Sequence, residues 1–163
     1  MLSAPTTLAR LEIERRIPHK GTMCLLDAVV AWDENSITCE ARNHQALDHP
    51  LRAHGRLGAA CGVEYAAQAM AVHGALVAES QVGADGHGAP PRSGYLASLR
   101  GVDLHVDRLD SVSGLLTVTA QRVTGDVNTV LYSFSVEDGP RPLLSGRAVV
   151  VLDAAALSAK AAS

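Results

Sequence analysis

Aromatic side chains are scarce: one Trp, one Phe and three Tyr among 163 residues. That leaves little material for base stacking, and with a formal net charge of -3 there is no basic excess to draw a polyanion, so the chain is read as having no nucleic-acid partner. Cysteine is scarce too. Cys24, Cys39 and Cys61 are odd in number and show neither C-x-x-C spacing nor a matching histidine cluster; they imply no zinc or other metal site and read as small core residues in a reducing compartment. No apolar run approaches the roughly 18 residues that a membrane span needs. The opening MLSAPTTLARLEIERR has no apolar segment following a basic start, as a secretory signal would have. The expectation is a cytoplasmic protein with no membrane span.

What is present is apolar content, 47% of the chain, enough at this length for one sizeable core and short for two. A single domain over residues 1–163 is expected, with its core at about 17–152. Met23 to Trp32 is a short apolar run, DENS a turn, and ITCEAR an alternating stretch, together a hairpin by period. From about Leu57 to Ala78 alanine dominates, which predicts the longest helix. Residues 80–92, SQVGADGHGAPPR, concentrate Gly, Pro, Asp and Ser and predict a flexible exposed loop. Four strand-like runs follow: SGYLASLRGVDLHV, GLLTVTAQRV, TVLYSFSVE and RPLLSGRAVVVL. In the third, Val130, Tyr132, Phe134 and Val136 share one face at period two. TGDVN carries turn chemistry, so the second and third runs should pair antiparallel. The tail 153–163 reads as disordered. Strand, strand, long helix, four strands is an α+β order that suggests an antiparallel sheet closing around one central helix.

One residue of that helix is out of place. Helix and sheet backbones approach closely where alanines repeat, yet Glu64 stands among them. An exposed helix edge would explain a single glutamate. Gln68, however, lies one turn further on the same face, where a carboxylate and an amide can bond each other or a ligand. Glu64 also lies near the helix start, whose unpaired N–H groups favour an anion or a polarised carbonyl. His49, His54, Arg52 and Arg56 stand just upstream. A carboxylic acid and an imidazole beside a helix N-terminus are the parts needed to move protons next to a carbonyl.

These stretches resemble a family. IPHKGTMCLLDAVV (Ile17 to Val30) is similar to the opening of the beta-hydroxyacyl-acyl-carrier-protein dehydratases. GVEYAAQAMA is similar to their central-helix segment, in which an acidic residue precedes a Gln by four, and GYLASLRGVD to the strand that follows. The likeness runs from about Ile17 to Leu152 and is nearest to the atypical dehydratases encoded with aryl polyene pigment pathways. It implies the hotdog fold and a site formed between two subunits. The family's catalytic histidine, in a Gly-His-Phe-Pro loop, has its best counterpart in His49 of DHPL; the Gly and Phe are missing, and Leu57-Gly58-Ala59 replaces the Pro-Gly at the helix start. His54 is the rival and His44 a third, each also readable as a surface-loop histidine. His19, in the Pro-His pair ahead of the first strand, corresponds to a structural position rather than to the proton-transfer one, with a catalytic role as the alternative reading. His73, His87 and His105 are assigned to solvated or satisfied positions.

The resemblance implies a lyase. A backbone N–H near Gly58 or Ala59 would polarise the carbonyl of a 3-hydroxyacyl thioester, with His54 and Gln68 also against the substrate. Neutral His49 would take the C2 proton, and Glu64 of the other subunit, kept protonated by a closed site, would donate to the departing hydroxyl. No cofactor and no metal are called for. Acyl carrier protein is the expected partner, in a homodimer or in a heterodimer with another hotdog subunit. Arg52, Arg56, Arg92 and Arg100 are candidates for carrier docking or are ordinary solvated arginines. Two rival functions share the fold: a thioesterase that uses the helix carboxylate to activate water, and a non-catalytic partner of an active subunit.

Overall fold

The helix that the alanines specify is also the element around which the rest is arranged. The computed structural model describes residues 7–85, 94–126 and 128–152. A two-residue strand β1 (Leu8–Ala9) and a short helix α1 (Arg10–Glu14) lead to β2 (Ala28–Trp32) and β3 (Ser36–Ala41). The long helix α2 is Gly62–Asp85, followed by β4 (Gly94–Leu104), β5 (Leu116–Gly125), β6 (Thr129–Asp138) and β7 (Arg141–Leu152). The seven strands form one antiparallel sheet in the order β1-β2-β3-β5-β6-β7-β4.

The expected hairpin is β2-β3, with Asp33 accepting backbone N–H bonds from Asn35 and Ser36 at its turn. The second and third late runs pair antiparallel as β5 and β6. Val130, Tyr132, Phe134 and Val136 all face inward, each no more than 6% exposed. Against them α2 lays Tyr65, Ala66, Ala69, Met70, Val72 and Leu76, a buried stripe at helical spacing. Each large apolar side chain in it contributes roughly 1.5–3 kcal/mol of transfer free energy. The start of α2 presses closely on β7: a Cβ added to Gly62 would run into the Leu144 side chain.

Both ends of the long helix differ from the expectation. A 3-10 turn (Ala59–Cys61) precedes it, because residues 57–59 are drawn into a bridge with 107–109. The Leu109 N–H donates to the Leu57 carbonyl at 2.8 Å and the Ala59 N–H to the Asp107 carbonyl at 3.1 Å. At the other end the helix runs on through residues 79–85, so Ser80 to Asp85 are helical rather than loop. Residues 86–93, including the candidate Arg92, and the tail 153–163 lie outside the described residues. Cys24 and Cys39 are buried, and burial pushes the Cys39 thiol up to about 12. Among the described residues no helix is long and apolar enough to cross a membrane.

Candidate functional site

Two groups of polar side chains gather at the start of α2, and they are built differently. In the first, His49 is buried at 5% exposure. The Leu51 backbone N–H donates to its Nδ1 at 3.1 Å, so Nδ1 is an acceptor and the proton of the neutral ring sits on Nε2. Nε2 lies 2.8 Å from the Tyr65 hydroxyl and donates to it, and that hydroxyl in turn donates to Asn43 Oδ1 at 2.7 Å. Burial, with the His44 and Arg52 charges adding to it, holds the His49 imidazole below its ordinary pKa. Burial also raises the Tyr65 phenol, which keeps its proton. The chain Leu51, His49, Tyr65, Asn43 therefore runs in one direction with every link used. The one in-plane lone pair of neutral His49 is engaged by the Leu51 N–H.

The second group lines a cavity of about 50 Å³ with His19, Met23, Leu25, Pro50, Leu51, Glu64 and Gln68 on its wall. Glu64 is the third residue of α2 and is exposed. The closed surroundings expected to keep it protonated are not supplied by the described residues of its own chain. Gln68 is buried and does not bond Glu64. Its Oε1 accepts the Leu25 N–H at 2.8 Å and its Nε2 donates to the Met23 carbonyl at 2.9 Å, so it clamps residues 23–25 to the helix. His19 is half-buried, and its Nδ1 is buried with no hydrogen-bond partner among the described residues.

The remaining candidates separate as clearly. His54 sits with φ 54 and Gly55 with φ 76 at the tip of a tight turn closed by two bonds between Ala53 and Arg56, the left-handed pair that a type I′ turn requires. It is exposed. His44 is buried, its Nε2 donating to the Val112 carbonyl at 2.9 Å. Buried His73 is held between the Tyr132 hydroxyl (2.7 Å) and the Asp33 carbonyl (2.8 Å). The Ala59 amide is spent on Asp107. In the same bridge the Gly58 N–H points away from 107–109, because successive strand amides alternate in direction.

Arg52 is tied down by the Gly55 carbonyl and by Asp110, and Arg56 donates to the Asp107 carbonyl. Asp110, which sequence reasoning passed over, organises this loop: it accepts the Leu57 N–H, and the Arg108 guanidinium beside it holds its carboxyl well below the usual range. Arg100 instead stands exposed on edge strand β4, in register with Arg147 of β7. Neither makes an ion pair among the described residues, and both border an open groove of about 470 Å³ with Ser133 and Ser145.

An antiparallel sheet closed around one long helix, with a carboxylate in that helix's first turn, defines a hotdog-fold protein. Solved structures agree on the fold. The chain is similar to the dehydratase heterocomplex ApeI:P from Xenorhabdus doucetiae (TM-score 0.72, 19% identity, 86% of this chain and 90% of that chain covered). It is also similar to a mutant of the thioesterase PA1618 from Pseudomonas aeruginosa (TM-score 0.54, 16% identity, 77% and 79% covered), and to the PaaI protein of E. coli from the phenylacetic acid degradation operon (TM-score 0.52, 14% identity, 76% and 80% covered). The family model ApeP-like, ApeP dehydratase, matches residues 11–159. The chain belongs to the ApeP-like dehydratase family. No curated protein matches it.

Proposed function

We propose that the protein dehydrates a 3-hydroxyacyl thioester carried on acyl carrier protein to the trans-2-enoyl thioester, in fatty-acid or polyene-type lipid biosynthesis. The observation that carries this reading is Glu64, a carboxylate in the first turn of α2 facing a cavity that an imidazole shares. The Gly58 amide would polarise the thioester carbonyl and acidify C2. An imidazole takes the C2 proton, the C–H electron pair becomes the C2–C3 double bond, and the C3–O bond breaks. Glu64 protonates the departing hydroxyl, which leaves as water. Membership of a dehydratase family supports this, as does the cavity of about 50 Å³, roomy enough to hold one water.

Glu64 would need cover to hold its proton at neutral pH. A second hotdog subunit is the proposed cover. Met23, on the cavity wall, is 48% exposed, and β4 offers an edge of 11 residues with Leu99 and Leu104 exposed, which pairing would close. That subunit can be a second copy or, as the ApeI:P heterocomplex suggests, a different chain. The exposed Arg100 beside Arg147 suits docking of an acidic carrier.

The fully engaged His49 favours a second reading, that of a subunit which completes the site of an active partner. Incubation of the protein with 3-hydroxyacyl carrier protein, followed by acyl mass, separates the readings. Loss of one water from the acyl group supports dehydration. Release of free carrier means thioester hydrolysis, and an unchanged acyl group supports the partner role.

A further inference from the structure

We propose that His19, and not His49, is the imidazole that works with Glu64, the two acting from the same chain across the cavity at the start of α2. The inference deepens the dehydratase reading and rests on it. Three observations carry it. First, His19 and Glu64 are on the wall of one cavity of about 50 Å³. Second, of the described histidines near the helix start, His49 has both ring nitrogens engaged and His54 is at an exposed turn tip, whereas His19 keeps a buried nitrogen that bonds none of the described residues. Leaving a buried polar atom unpaired is costly, so its retention marks a group whose partner arrives from outside. His44 Nδ1 is also unpaired, but His44 does not line the cavity.

Third, the segment bearing His19 is fastened on both sides. Ile17 is buried, and the Lys20 Nζ donates to the Ile17 carbonyl at 2.9 Å. Arg10 holds the Gly21 and Cys24 carbonyls at 2.7 and 2.6 Å, and Gln68 grips Met23 and Leu25. Gln68 is one turn from Glu64, so the same helix face that presents the carboxylate also positions the strap that presents the imidazole. His19 then takes the C2 proton, Glu64 gives its proton to the leaving hydroxyl, and the released water fills the cavity between them. The proton on His19 returns to Glu64 through that water, which restores both groups.

The test follows the imidazole nitrogens by NMR in the full chain while a 3-hydroxyacyl pantetheine amide, which resists elimination, is added. The expected result is that the His19 ring signals move on binding, that Glu64→Gln reduces the movement, and that the His49 signals stay in place. Movement of His49 with His19 unmoved, or of neither ring at saturation, overturns the proposal. His19→Gln should lower kcat by about 10²- to 10⁴-fold with KM within a few fold and an unchanged melting temperature, since Nδ1 supports no fold contact among the described residues. If the wild type converts no 3-hydroxyacyl carrier protein while the amide still moves His19, the dehydration reading fails and the pairing of His19 with Glu64 stands.

Discussion

The His49 chain and the His19 cavity adjoin at the start of the same helix, Leu51 belonging to both, and the difference between them is one of satisfaction. Both ring nitrogens of His49 and the Tyr65 hydroxyl have partners, each link handing a proton in the same direction, and such a network rigidifies what it joins. Around His19 and Glu64 there is a space, an unpaired ring nitrogen and a carboxylate without a partner among the described residues. A group already committed to the fold must break a bond before it can react; an uncommitted one need not. Nearness in sequence to a family motif does not distinguish these two conditions, and hydrogen-bond direction does.

The largest expected effect falls on the open side. Glu64→Gln removes the proton donor from an exposed position, so turnover of 3-hydroxyacyl carrier protein should fall by about 10²- to 10⁴-fold while thermal melts stay within about 0.5 kcal/mol of wild type. The closed side should respond the other way. Tyr65→Phe leaves the His49 Nε2–H and the Asn43 carbonyl without their shared partner, at a cost of about 1–3 kcal/mol. Denaturant melts should record that loss with turnover per folded molecule little changed.

Acid should sharpen the contrast further. His49 and His73 are both held below the ordinary imidazole value, first by burial, so the unfolded chain takes up protons at a higher pH than the folded one. Stability is therefore full above the unfolded value of about 6.5 and declines as the pH falls below it toward the lower folded values. Melting temperatures recorded from about pH 8 to about pH 5 should drop in that window, and His73→Phe should flatten the drop. The smallest effect belongs to the rival histidine at the turn tip. At φ 54 asparagine, like histidine, is among the residues that tolerate the left-handed region, so His54→Asn should leave activity unchanged and shift stability by no more than about 0.5 kcal/mol.

The strands were readable because period two survives burial: the inward face of β6 could be taken straight from Val130, Tyr132, Phe134 and Val136. The helix was readable in kind and misplaced at both ends. Residues 57–59 have helical composition, but their backbone is claimed by 107–109, and no local signal announces a bridge between residues so far apart. β1 and α1 escaped for a related reason, since a two-residue strand exists only by pairing with β2. In the site, Glu64 and Gln68 were visible from their spacing, though the clamp of Gln68 on residues 23–25 was not. The Pro-His pair was visible too, but the family resemblance gives its histidine a structural position. What its histidine lacks, a partner for Nδ1, depends on residues distant in the chain coming together, and is a property of the fold alone. Asp110 was missed because one carboxylate in a strand-to-strand connection has no pattern.

The most direct measurement compares His19→Gln and His49→Gln in the same turnover assay, each rate divided by the folded fraction. If the open cavity holds the working pair, His19→Gln loses about 10²- to 10⁴-fold in kcat, whereas His49→Gln melts lower and keeps its rate within a few fold. A His49→Gln protein that is folded but inactive, beside a His19→Gln protein at wild-type rate, would contradict the account.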